Sequence, residues 1–146
     1  LTQMKFLLPL LVILASVIGS LANIYINSDS WYADLVKSPL NPPSYIFGIV
    51  WPILYALMAF VSFKAASFIW KPFIIQLALN AAWSWIFFYL QAPVIALLNI
   101  SFLILLNQRI LIILKEESKF LYFLYLPYIL WLSFAAFLNA SIVFLN

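Results

Sequence analysis

The 146-residue chain has no cysteine and no histidine, and only 8% of its residues carry charge. These absences exclude disulfides, thiolate nucleophiles, Cys or His zinc sites and the usual His or Cys axial ligation of haem iron. No metal site and no obligatory cofactor is expected. Soluble surfaces need about a quarter of their residues charged, and eleven charged side chains cannot cover a water-facing exterior. The net charge of +3 comes from scattered Lys and Arg, without the basic cluster that phosphate binding requires, so nucleic acid is not an expected partner.

What is present is apolar. Hydrophobic residues make up 68% and aromatic residues 19% of the chain, and the mean hydropathy is +1.14. Lipid must cover most of such a surface. A spanning helix takes about 20 residues, so the length allows about five or six spans in a single membrane domain.

Charges and prolines cut the chain into segments. Residues 6–26, behind Lys5, form a first span, read as retained because the apolar run continues past the small residues Ser20 and Ala22 that resemble a signal-peptide cleavage site. The chain begins with Leu1, so an upstream start is expected. A polar stretch over 27–44, with Asp29, Asp34, Lys37, Pro39, Pro42 and Pro43, is the one long loop. Residues 45–63 form a second span, with a kink or irregular turn expected at Pro52. A basic connection from Lys64 to Lys71 leads to a third span, 72–90, opened by Pro72 in the favoured first-turn position. Spans 93–114 and 120–145 follow, joined by a solvated turn over 115–119. The expected fold is an all-α integral membrane bundle of five transmembrane helices.

Five spans place the termini on opposite sides. Lys5, Lys64, Lys71, Lys115 and Lys119 gather on the N-terminal side, with Arg109 able to snorkel toward it, against Lys37 alone on the other. The N-terminus is therefore expected in the cytoplasm and the C-terminus outside. No acidic residue falls within a span and no internal repeat is visible, which argues against ion-coupled transport.

Function must then rest on tryptophan and uncharged polar groups. Trp31 and Trp70 fit an interfacial aromatic belt. Trp51, about 9 Å below the start of its helix at about 1.5 Å per residue, and Trp83, Trp85 and Trp131, near mid-span, do not. A buried indole N–H wants a partner, either a neighbouring helix or a ligand. Gln76, Asn80, Trp83, Ser84 and Phe87 recur at spacings of three and four and share one helix face. That face serves either as interhelical glue, worth about 0.6 kcal/mol or somewhat more per bond, or as a binding surface. Trp131, Ala135 and Asn139 align likewise on the last helix. Ala78 with Ala82, and Ala136 with Ala140, are small-residue pairs that suit helix packing within or between chains.

Longer strings now carry a resemblance. Trp31-Tyr32-Ala33-Asp34-Leu35-Val36-Lys37-Ser38-Pro39-Leu40-Asn41-Pro42-Pro43, then Phe47-Gly48-Ile49-Val50-Trp51-Pro52-Ile53-Leu54-Tyr55 and Met58, are similar to the TspO/MBR family of translocator proteins and tryptophan-rich sensory proteins. The likeness continues through Gln76-Leu77-Ala78-Leu79-Asn80-Ala81-Ala82-Trp83-Ser84, Pro127-Tyr128, Trp131-Leu132-Ser133-Phe134-Ala135 and Leu138-Asn139. It implies a five-helix bundle, homodimeric, in a bacterial plasma membrane, whose first loop lids a pocket between the helices. It also implies binding of protoporphyrin IX or a related tetrapyrrole and of synthetic isoquinoline or benzodiazepine-type ligands. Carried over by position, the pocket is lined by Trp51, Asn80, Trp83, Trp131, Phe134, Ala135 and Leu138, with Trp31, Tyr32, Pro42 and Pro43 from the loop. In members linked to light-dependent porphyrin breakdown, the tryptophans matching Trp51 and Trp131 are implicated. Ala59 stands where many members have Gly, and Ile95 where animal members have Trp. The C-terminal sequence from Asn139 to Asn146 lacks the Tyr-then-basic motif of animal cholesterol binders.

With stacking indoles and no His or Cys ligand, such a pocket suits a metal-free tetrapyrrole, with Gln76, Asn80 and loop amides expected to hydrogen-bond its nitrogens or carboxylates. The leading expectation is a tetrapyrrole-binding sensor, carrier or scavenger. The alternative is an enzyme for light-dependent oxidative porphyrin degradation.

Overall fold

The computed structural model describes residues 2–26 and 30–146. Asn27, Ser28 and Asp29, the first part of the expected loop, lie outside the described residues. Five α-helices follow in order: α1 (Thr2–Leu21), α2 (Trp31–Asp34), α3 (Ser44–Ser84), α4 (Pro93–Glu117) and α5 (Lys119–Leu145). A 3₁₀ turn, Ala22–Tyr25, prolongs α1, and a π-helical turn, Trp85–Tyr89, ends α3.

Residues 44–89 form 46 residues of continuous helix. Held straight they would measure about 69 Å at about 1.5 Å per residue, more than twice the roughly 30 Å hydrocarbon core. They are not straight. Ala65 leaves helical geometry at φ −111°, ψ 16°, and the chain folds back there into two antiparallel arms, 44–64 and 66–84. Tyr55 Oη lies 2.6 Å from Asn80 Oδ1, and Gln76 Nε2 3.8 Å from Met58 Sδ, contacts that only a hairpin can make. With α1, α4 and α5, the two arms make five apolar rods, and the protein is an all-helical integral membrane bundle.

Several expected boundaries shift. The basic connection over 64–71 does not exist as a loop, since helix resumes directly after Ala65. The short side chains of Ala65 and Ala66 are buried in the reversal and let the arms meet there. Pro72 consequently lies inside the second arm rather than in a first turn. Helical dihedrals run through Pro52, so the expected irregularity falls thirteen residues later at Ala65. The 115–119 turn contracts to Ser118, whose extended backbone separates α4 from α5 and whose Oγ accepts the Leu121 N–H at 3.3 Å.

The core is a seam of aliphatic and aromatic side chains. Leu8, Met58, Val61, Ile69, Phe73, Ile110 and Leu114 are fully buried, whereas Phe6, Leu10, Ile53, Phe102 and Leu130 are exposed on the outer faces. An apolar exterior of this kind is stable only against acyl chains. Arg109 is exposed on the outside of α4.

Within this seam runs a chain of buried polar groups. Tyr125 Oη donates to Asn107 Oδ1. Asn107 Nδ2 donates to Gln76 Oε1 at 3.1 Å and to Leu103 O at 2.9 Å. Tyr128 Oη donates to the same Gln76 oxygen at 2.7 Å, Asn80 Nδ2 to Tyr128 Oη at 2.8 Å, and Tyr55 Oη to Asn80. Four rods are thereby tied together in a medium where an unpaired amide would cost several kcal/mol, roughly. Gln76 and Asn80 thus act as interhelical glue. Gln76 is fully buried, and both polar ends of Asn80 are engaged by neighbouring helices.

Candidate ligand-binding cavity

A cavity of about 820 Å³ opens at the end of the bundle that carries the 30–43 loop. Its walls come from six places. α1 with the 3₁₀ turn that prolongs it contributes Ser16, Gly19, Ser20 and Asn23; the loop contributes Tyr32, Asn41 and Pro42. The first arm of α3 contributes Phe47, Gly48, Trp51 and Tyr55, and the second arm Trp83 and Ser84. Phe87 and Phe88 come from the π turn, and Ala135, Leu138 and Asn139 from α5. Among the described residues, no wall residue carries a charge.

The indoles are set in three different ways. Trp83 stacks on Phe87, with ring centroids 5.1 Å apart and planes 26° from parallel. Its Nε1 donates to Asn139 Oδ1 at 3.0 Å, and Asn139 Nδ2 donates to Pro93 O at 2.9 Å, so the second arm, α5 and the start of α4 lock together at the wall. Trp51 lies tilted against Tyr55 at 5.6 Å, leaving ring surface in the wall. Trp131 is not a wall residue. It stands behind Trp51, edge to face at 6.4 Å and 88°, between Phe47 and Phe134, and its buried Nε1 has no hydrogen-bond partner among the described residues.

The π turn shapes the floor beside Trp83. The Leu90 N–H reaches back five residues to Trp85 O at 3.0 Å, and Ala92 N–H to Ile86 O at 3.1 Å. Gln91 takes a left-handed φ of 52° to end the helix. The wider turn sets Phe87 and Phe88 edge to face at 4.9 Å, and both meet Tyr32 from the loop, at 6.1 and 5.3 Å. Trp31 packs on Phe87 at 5.7 Å and is not a wall residue. Lys37 Nζ sits 4.5 Å above the Tyr32 ring. Burial pushes the Tyr32 phenol above its ordinary pKa, partly offset by a hydrogen bond with the Asn41 side chain.

The loop is fastened to α5. Asn146 Oδ1 accepts the Val36 N–H at 3.0 Å, and its Nδ2 donates to Val36 O at 2.9 Å and to Ile142 O at 2.9 Å. One side-chain amide therefore pairs with both polar groups of a loop residue, as a neighbouring strand would.

Of the residues carried over from the resemblance, Trp51, Trp83, Ala135, Leu138, Tyr32 and Pro42 face the cavity. Pro43 instead precedes the first turn of α3. Asn80, Trp131, Phe134 and Trp31 are not wall residues. Sequence reasoning missed the α1 wall, although Ser16, Gly19, Ser20 and Asn23 recur at the three-and-four spacing used to find the Gln76 face. It also missed Asn107 and Asn99; the latter donates to Leu79 O at 3.0 Å.

Five apolar rods around an uncharged cavity beneath an ordered loop define an integral membrane helical-bundle protein with an internal site. The chain belongs to the TspO/MBR family, whose model matches residues 7–145. It is 37% identical over 127 residues to a tryptophan-rich protein TspO of Chlorobaculum tepidum, covering 80% of each chain. It is 31% identical over 137 residues to the translocator protein of Ovis aries, covering 83% of this chain and 79% of that one. A tryptophan-rich sensory protein of Cereibacter sphaeroides is 28% identical over 123 residues, covering 81% and 78%.

Proposed function

We propose that this protein binds protoporphyrin IX or a related tetrapyrrole in the loop-covered cavity and acts as a membrane sensor, carrier or scavenger. The observation that carries the reading is an aromatic-walled cavity of about 820 Å³ whose described walls carry no charge, within the roughly 300–1,000 Å³ of small-molecule sites. A flat apolar ring gains stacking area from Trp51 and Trp83, and its carboxylates are best left at the loop end, where Lys37 is the nearby cation. Isoquinoline and benzodiazepine-type molecules compete for the same walls. The lysine distribution favours a cytoplasmic N-terminus in a bacterial plasma membrane. A homodimer is consistent with Ala78, exposed on the outside of the second arm.

A second reading, light-dependent oxidative breakdown of the bound ring, is favoured by one contact. Trp51 in the wall abuts Trp131 edge to face, so a light-excited ring can take an electron from Trp51 that Trp131 then replaces, with dissolved dioxygen as the oxidant that accepts the electrons lost by the ring.

The test mixes purified protein with protoporphyrin IX in detergent and follows tryptophan quenching and the Soret band, first in darkness and then under illumination. Binding without ring loss is the expected result. Protein-dependent ring loss abolished by Trp51→Phe and Trp131→Phe favours the enzyme instead, and absence of binding overturns both.

A further inference from the structure

The buried amide–phenol chain has a fixed direction, and the direction reaches the cavity. A backbone carbonyl can only accept, so the Asn107 atom 2.9 Å from Leu103 O is its nitrogen. That nitrogen donates to Gln76, whose facing atom is therefore oxygen. Tyr128 Oη, 2.7 Å from the same oxygen, must spend its one hydrogen there. Its own oxygen then accepts, which makes the Asn80 atom 2.8 Å away nitrogen and turns Asn80 Oδ1 toward Tyr55. Tyr55 must donate to it, and only lone pairs remain on the Tyr55 oxygen where it meets the cavity.

Neighbouring wall groups are committed the same way. Ser16 Oγ donates to Ile13 O and Ser20 Oγ to Ser16 O, both at 2.7 Å. The Trp83 N–H is spent on Asn139, itself oriented by Pro93 O. Tyr55 lies eleven residues along the arm from Ser44, about 16 Å deeper at about 1.5 Å per residue. Beside it Gly19 adds no side chain; a Cβ there would lie 3.9 Å from Tyr55 Oη.

We infer that Tyr55 is a specificity-determining residue: its acceptor-only oxygen at the deep end of the cavity selects flat apolar ligands whose leading edge carries a neutral N–H or O–H donor. The inference names the ligand chemistry of the proposed site, and its test is chosen to stand apart from the tetrapyrrole reading. Carbazole and N-methylcarbazole share a ring system and differ by one N–H. Their affinities are measured for the protein in detergent micelles, corrected for partition into empty micelles, together with the infrared N–H stretch of bound carbazole.

Carbazole is expected to bind about three- to tenfold more tightly, the value of one hydrogen bond, with its N–H band shifted to lower frequency. Tyr55→Phe brings the ratio to about one and returns the band. Equal or tighter binding of the methylated ring, no measurable carbazole binding, or a ratio and band unmoved by Tyr55→Phe overturns the inference. Should the variant not fold, the wild-type ratio and band decide alone. If protoporphyrin IX fails to bind while carbazole is preferred, the tetrapyrrole reading falls and Tyr55 keeps its role; the opposite pattern removes only the inference.

Discussion

The Tyr55 hydroxyl donates to the Asn80 amide oxygen at 2.6 Å across the two arms of α3, joining residues twenty-five apart in the chain between the cavity and the polar seam of the bundle. Asn80 reaches on to Tyr128, so a single amide couples both arms to α5. Replacing it with leucine, close in volume, leaves the Tyr55 O–H without its acceptor and removes the N–H that Tyr128 Oη accepts, although Tyr128 keeps its bond to Gln76. Asn80→Leu is expected to cost about 1–2 kcal/mol, measured as a lowered unfolding midpoint in detergent.

The same logic predicts coupling further along the seam. Asn107 and Gln76 bond side chain to side chain, and removing either one leaves the other partly unpaired. A double-mutant cycle with Asn107→Leu and Gln76→Leu is expected to show an interaction energy of about 0.5–2 kcal/mol, the double variant being less damaged than the sum of the singles. Strict additivity would show that the two amides act independently.

Gly48 lines the cavity, and a Cβ built on it meets nothing within 4 Å. Gly48→Leu therefore adds bulk to empty space while improving helix propensity by roughly 0.8 kcal/mol. Thermal stability is expected to hold or rise slightly, while protoporphyrin affinity falls by about tenfold or more, a loss of at least about 1.4 kcal/mol. Titration of the Soret band, alongside a melting curve of the same preparation, checks both halves.

Trp83 has two separable roles. Trp83→Phe keeps a ring over Phe87 but removes the donor to Asn139, leaving a buried acceptor unpaired at a cost of about 1 kcal/mol. Trp83→Leu loses the stack as well and costs about 0.5–1.5 kcal/mol more. Unfolding of both variants in one detergent gives the difference.

The Asn146 amide holds the loop at Val36. Asn146→Ala releases both bonds without touching the walls, so hydrogen exchange at the Val36 amide is expected to accelerate by about tenfold. Ligand release through the loop end should quicken in parallel. Unchanged exchange would mean that ring contacts of Trp31 and Tyr32 with Phe87 suffice to hold the loop.

Composition and apolar run length alone determined that this chain is a membrane helical bundle, because lipid tolerates only helices or closed barrels and the runs match a bilayer's thickness. Helical spacing likewise made the Gln76–Asn80–Trp83 face legible as one that lipid would reject. Tertiary structure decided what that face meets. Asn80 turns to Tyr55 and Tyr128, Trp131 retreats behind Trp51, and a serine–glycine stripe of α1 enters the wall. Periodicity says which residues share a side of one rod, but the rotation and pairing of five rods depend on contacts between residues far apart in sequence, which no local pattern contains. The reversal at Ala65 belongs to the same class, since helix propensity runs through it unbroken and only the packing of one arm on the other turns the chain.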